Sequence, residues 1–147
     1  MGQVHYRFIC HSTLSHNIQM NRIVLDTNCL LQIIPLRSPF RFVWDSYRSG
    51  IFHICVSNEI LSEYMEILSR VANADVASNI VNAITNSPNT EFYTPHFKFG
   101  IITEDPDDNK FVDCAIVAQA KCIVSNDRHF DAVRTCPFPS GTVQSLA

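Results

Sequence analysis

The chain has 147 residues, 46% of them hydrophobic and 17% charged, with a formal net charge of -3. That length is one ordinary domain able to bury a core, and the composition excludes a disordered chain. Net acidity argues against nucleic-acid binding through a general basic surface, although an acidic site that recruits a divalent metal still presents an anionic substrate to the ion.

The first residues, "MGQVHYRFICHSTLSHNIQ", are polar and histidine-rich and lack the apolar core of a secretion signal. That character stops at Met20, where "MNRIVLDTN" has the form of a natural start placed directly before a strand. Residues 1–19 therefore read as an extension outside the fold, and residues 20–147 as the domain. The competing reading is a genuine extra strand through "YRFIC".

"RIVLDTN", Arg22 to Asn28, is a short aliphatic run of the kind that forms a fully buried strand of a parallel sheet. "IFHICVS" (Ile51 to Ser57) and "CIVSND" (Cys122 to Asp127) repeat the pattern, while Thr90 to Pro95 and Gly141 to Leu146 are weaker strands. Helical character falls over about Pro39 to Ser49, Asn58 to Asn73, Asp75 to Asn86 and Pro106 to Lys121, with a short helix after Arg128. Strands alternating with helices of this length predict βαβ units, a mostly parallel sheet and helices on both faces. Four glycines and no Gly-rich loop exclude the usual nucleotide-binding fingerprints.

On a helical projection of Asn58 to Asn73, Ile60, Leu61, Tyr64, Met65, Ile67, Leu68 and Val71 form one wide stripe. Glu63 lies at its edge, the least solvent-directed glutamate of this helix, and Ser57 is a natural N-cap. The bland reading of Glu63 is a boundary residue whose stem passes the core. Asp105-Pro106 opens the helix over Pro106 to Lys121, and capping explains several acids there. It does not explain Asp113, which stands among Phe111, Val112, Cys114, Ala115, Ile116 and Val117. A lone carboxylate in such surroundings is costly. Asp127 repeats the problem, because "CIVS" runs into "ND" as "IVL" ran into "DTN". In a parallel sheet Asp26 and Asp127 share one edge, and helices at that edge can aim Glu63 and Asp113 at the same crevice. Clustered carboxylates repel, and a hard divalent cation relieves them.

The order "LDTN", "NEILSEYMEIL", then "DPDDNKFVDCAIVAQAKCIVSND" resembles the PIN domain, a metal-dependent ribonuclease fold, and within it the small VapC-like toxins of bacterial toxin–antitoxin pairs. The resemblance runs from Asn21 to about Leu146. It implies a three-layer α/β/α fold around a central, mostly parallel five-stranded sheet. By its motifs Asp26, Glu63, Asp113 and Asp127 are the catalytic and metal-binding set, Asn28 and Ser125 are supporting polar residues, and Asp108 is an auxiliary metal ligand. A five-residue step puts Asp108 and Asp113 about 140° apart on a regular helix, so both face one ion only if the helix end is irregular. The implied cofactor is Mg²⁺ or Mn²⁺, the implied reaction in-line hydrolysis of RNA by a metal-activated water, and the implied partners an antitoxin protein and a second copy in a homodimer.

Other residues read more simply. His129 reads as a surface or capping residue and His53 as a satisfied core histidine. Arg37, Arg41, Arg48, Lys110 and Arg128 are phosphate-contact candidates whose plainer role is solvated charge; Phe40, Phe42, Trp44 and Tyr47 are packing. The six cysteines, Cys10, Cys29, Cys55, Cys114, Cys122 and Cys136, show no C-x-x-C pair and read as thiols of a cytoplasmic protein. No stretch is long and apolar enough to span a membrane. A haloacid-dehalogenase-type phosphatase would want an acid where Asn28 stands. The stronger rival is a PIN-like module that binds RNA or protein without cutting; a complete acidic set argues against it.

Overall fold

The computed structural model describes residues 6–11, 22–125 and 141–146. Its strands in chain order are β1 (Tyr6–His11), β2 (Arg22–Leu25), β3 (His53–Val56), β4 (Thr90–Phe92), β5 (Cys122–Ser125) and β6 (Gly141–Leu146). They form a single sheet in the order β4-β3-β2-β5-β1-β6. The pairs β2–β3, β3–β4 and β2–β5 are parallel, whereas β1 lies antiparallel to both β5 and β6. The sheet thus has six strands rather than five, four of them mutually parallel, and β1 falls within the leader. Ile23 to Leu25, Ile54 to Val56 and Cys122 to Val124 are all buried, which is why these strands read as unbroken apolar runs rather than alternating ones.

Among the described residues five α-helices flank the sheet: α1 (Thr27–Ile33), α2 (Arg41–Arg48), α3 (Asn58–Val71), α4 (Ala74–Thr85) and α5 (Asn109–Ala118). None of the described helices is long and apolar enough to cross a membrane. The predicted helix after Arg128 lies outside the described residues. Strand β2 is shorter than its sequence suggests, ending at Leu25, with Thr27 and Asn28 already helical. The reason is the spacing of Cys29, Leu30 and Ile33, which are buried on one face of α1.

Helix α3 shows how the fold aims its side chains. Ser57 accepts a hydrogen bond from the Ile60 amide (3.3 Å), fixing the N-terminus. Ile60, Tyr64 and Leu68 are buried, and each contributes about 2 kcal/mol by leaving water. The buried Tyr64 hydroxyl donates to the Leu25 carbonyl, tying α3 to the carboxyl end of β2. Helix α5 is preceded by a 3₁₀ turn, Pro106–Asp108, whose first amide is capped by Asp105. It ends at Gln119, which is left-handed with φ 52°. The Ala120 amide then donates to the Ala115 carbonyl (2.9 Å) and the Lys121 amide to the Arg22 carbonyl (2.7 Å), launching β5 alongside β2.

Candidate active site

The carboxyl ends of β2 and β5 meet. Asp26 follows β2 as the N-cap residue of α1 and is only 5% exposed. Its amide donates to the Val124 carbonyl (3.0 Å), and Ser125, the last residue of β5, donates its hydroxyl to Asp26 Oδ2 (2.8 Å). One residue on, Thr27 donates its hydroxyl to Glu63 Oε1 (2.8 Å), so α3 reaches the same strand end. The other oxygen, Glu63 Oε2, takes the ammonium of Lys110 from α5, which also pairs with Asp107 (3.1 Å). Burial alone would depress the Lys110 pKa, but hydrogen bonds to the two carboxylates overcome it and hold the ammonium above its ordinary value. Together Ser125, Asp26, Thr27, Glu63 and Lys110 form an almost continuous polar line across β5, the start of α1, α3 and α5.

Asp113 stands apart from that line. It is 6% exposed, and its Oδ1 accepts the Phe99 amide (3.1 Å) from the segment between β4 and the 3₁₀ turn. Burial pushes its carboxyl pKa up; the Phe99 amide opposes this, nearby Glu59 reinforces it and Lys98 opposes it. Asp113 opens on a pocket of about 210 Å³ lined by Glu59, Tyr93, Phe97, Lys98 and Lys110 among others. Asp108 is half-buried and occupies the N-cap position of α5, at the end of the 3₁₀ turn. A 3₁₀ turn precedes α5, but Asn109 to Asp113 are regular helix and Asp108 is itself right-handed helical, so the step between the two acids stays close to that of a regular helix.

Of the residues singled out by sequence, Asp26 and Ser125 are in contact, and Glu63 is joined to them through Thr27. Asn28 is exposed on α1, and Asp127 lies outside the described residues, as does His129. Among the described residues no three His, Cys, Asp or Glu side chains gather at metal-ligand spacing. The donor chemistry, carboxylate and hydroxyl oxygen, suits a hard divalent cation. Asp26, Glu63 and Asp113 alone do not close a cage, since Glu63 is neutralised by Lys110 and Asp113 points into its own pocket. Sequence reasoning missed Thr27, although "LDTN" sets it beside Asp26, and it weighed Lys110 chiefly as solvated charge. His53 is satisfied as expected: its Nδ1 meets Glu91 Oε2 (2.9 Å).

A parallel α/β sheet that delivers a buried aspartate at its carboxyl edge, with polar side chains from two helices beside it, is the arrangement in which open α/β enzymes place their sites. The sequence model of the PIN-domain family matches residues 22–129, and the chain belongs to that family. PIN domains are generally nucleases, so the fold is of nuclease type. Neither a curated protein nor a solved structure matches the chain.

Proposed function

We propose that this chain is a metal-dependent endoribonuclease that hydrolyses RNA phosphodiester bonds, and that it serves as the toxin of a toxin–antitoxin pair. The observation that carries the reading is Asp26, buried where two parallel strand ends meet and held there by Ser125, in a chain of the PIN family. Asp26, Glu63, Asp113 and Asp127, with Asp108 auxiliary, would hold Mg²⁺ or Mn²⁺, which when bound supplies an activated water and stabilises charge on the attacked phosphate.

The chain's own residues do the positioning. Ser125 fixes the direction of the Asp26 carboxylate, and Thr27 does the same for Glu63, so neither has to be ordered when substrate arrives. Lys110 is a cation at the site, placed to meet a phosphate oxygen as well as Glu63. A small antitoxin and a second copy of the chain are the proposed partners. Cytoplasmic residence is supported by the buried free thiols Cys29, Cys55, Cys114 and Cys122; burial pushes Cys55 and Cys114 up to about 12, so they behave as inert hydrophobes.

One observation favours a second reading, a PIN-like module that binds RNA or protein without cutting: Glu63 already has an internal counter-ion in Lys110. A cleavage assay separates the two. Wild-type protein should shorten single-stranded RNA with Mg²⁺ or Mn²⁺, stop in EDTA and not be restored by Zn²⁺ alone, because the site offers oxygen rather than thiolate or imidazole. Asp26→Asn should lose activity by at least about a hundredfold while keeping the wild-type circular dichroism. RNA bound but never cut under any of these metals would establish the binding module instead.

A further inference from the structure

Between β4 and the 3₁₀ turn runs "YTPHFKFG", Tyr93 to Gly100, in which ring-bearing residues alternate with polar or cationic ones: Tyr93, Pro95, Phe97 and Phe99 against Thr94, His96 and Lys98. Phe97 is 74% exposed, and an exposed phenyl beside a pocket offers water nothing. The pocket it lines is not purely apolar, since Lys98, Lys110 and Asp113 share its wall. An aromatic face with cations beside it is the combination that takes single-stranded nucleic acid, by stacking a base and meeting the flanking phosphates.

We propose that this pocket is a base-binding subsite, in which one nucleobase of a single-stranded RNA stacks on Phe97 while a flanking phosphate meets Lys98. The assignment rests on the ribonuclease reading and names the form of its substrate. Size supports it: 210 Å³ is below the roughly 300–1,000 Å³ of pockets for drug-sized ligands, and suits a single ring system. Chemistry supports it as well. Lys98 and Lys110 in the pocket wall are the cations that flanking phosphates need beside a stacked base. Position supports it again, because Lys110 lines the pocket and also pairs with Glu63, which Thr27 joins to the end of β2. A base seated here therefore has its neighbouring phosphate at the carboxyl edge of the sheet.

The test uses the full chain carrying Asp26→Asn to stop cleavage, with Mg²⁺ present, and a single-stranded RNA of about ten nucleotides containing 2-aminopurine. Stacking should quench the 2-aminopurine on binding. Adding Phe97→Ala should abolish the quench and weaken binding about tenfold. Phe92→Ala, on a phenyl 54% exposed at the end of β4 and outside the pocket lining, should change neither. Wild-type quench and affinity in Phe97→Ala overturn the subsite and leave the nuclease reading standing. Equal losses in both variants, or a drop in molecular mass by light scattering that only Phe97→Ala produces, make the patch a protein-contact surface and also overturn it. If the protein with Asp26 restored neither binds nor cuts RNA, the nuclease reading fails and the subsite fails with it.

Discussion

Tyr64→Phe removes one oxygen and tests how the site is assembled. In the wild-type protein the Tyr64 hydroxyl is fully buried and donates to the Leu25 carbonyl, while Glu63, its chain neighbour, reaches Thr27 and Lys110. Phenylalanine fills nearly the same space, so the cavity contribution is small and the loss is that of one buried hydrogen bond, about 1–2 kcal/mol. For a chain of 147 residues that corresponds to a fall in Tm of roughly 3–7 °C. Thermal melting followed by far-ultraviolet circular dichroism measures it. With α3 no longer tied to the end of β2, RNA cleavage should fall further than the small loss of folded protein explains, by about tenfold. An unchanged Tm with unchanged cleavage would refute the claim that this bond sets the position of Glu63.

Three shorter predictions follow from other parts of the molecule. Burial would raise the Glu91 carboxyl, but hydrogen bonds from Arg22, Tyr93 and His53 hold it below the ordinary range; its stabilisation is present above the unfolded-state pKa and is lost as pH falls through the lower folded value. Glu91→Gln should therefore cost about 2 kcal/mol at neutral pH and narrow the gap to wild type toward about pH 3, read from urea midpoints; a gap that widens on acidification would be the wrong sign. Cleavage by a metal-activated water should leave a 5′-phosphate and a 3′-hydroxyl and survive a 2′-deoxy substitution at the cut site, whereas a 2′,3′-cyclic phosphate found by end-labelling would mean general acid–base chemistry. A chain beginning at Met20 should fold and cut RNA if residues 1–19 lie outside the domain, and a collapse of its circular dichroism would show that the β1 ladder is required.

The legible part of the fold is the part written in local pattern. β2, β3 and β5 were readable because burial on both faces makes each an unbroken aliphatic run, and α3 because Ile60, Tyr64 and Leu68 repeat at helical spacing. Helix α1 was not readable: it is seven residues long, too short for helical spacing to stand out, and only the tertiary face its apolar residues meet distinguishes strand from helix. Within the site, Asp26 and Asp113 stood out because a carboxylate in apolar surroundings conflicts with its sequence context. The partners of Glu63 did not, since Thr27 and Lys110 lie 36 and 47 residues away along the chain and are brought to it only by the fold. Phe97 was silent for a related reason, as one phenylalanine in a loop says nothing about its exposure.

The two margins of the sheet are unequal. β4 offers three residues of backbone and is soon followed by Pro95, which has no amide hydrogen to lend. β6 is six residues long and, among the described residues, has β1 alone as neighbour. Short length and proline are how natural sheets blunt a margin against a foreign strand. Growth of the sheet by an added strand thus has twice the backbone to use at β6 as at β4, and at the β4 side, where Phe97 and Lys98 stand, recognition falls to side chains.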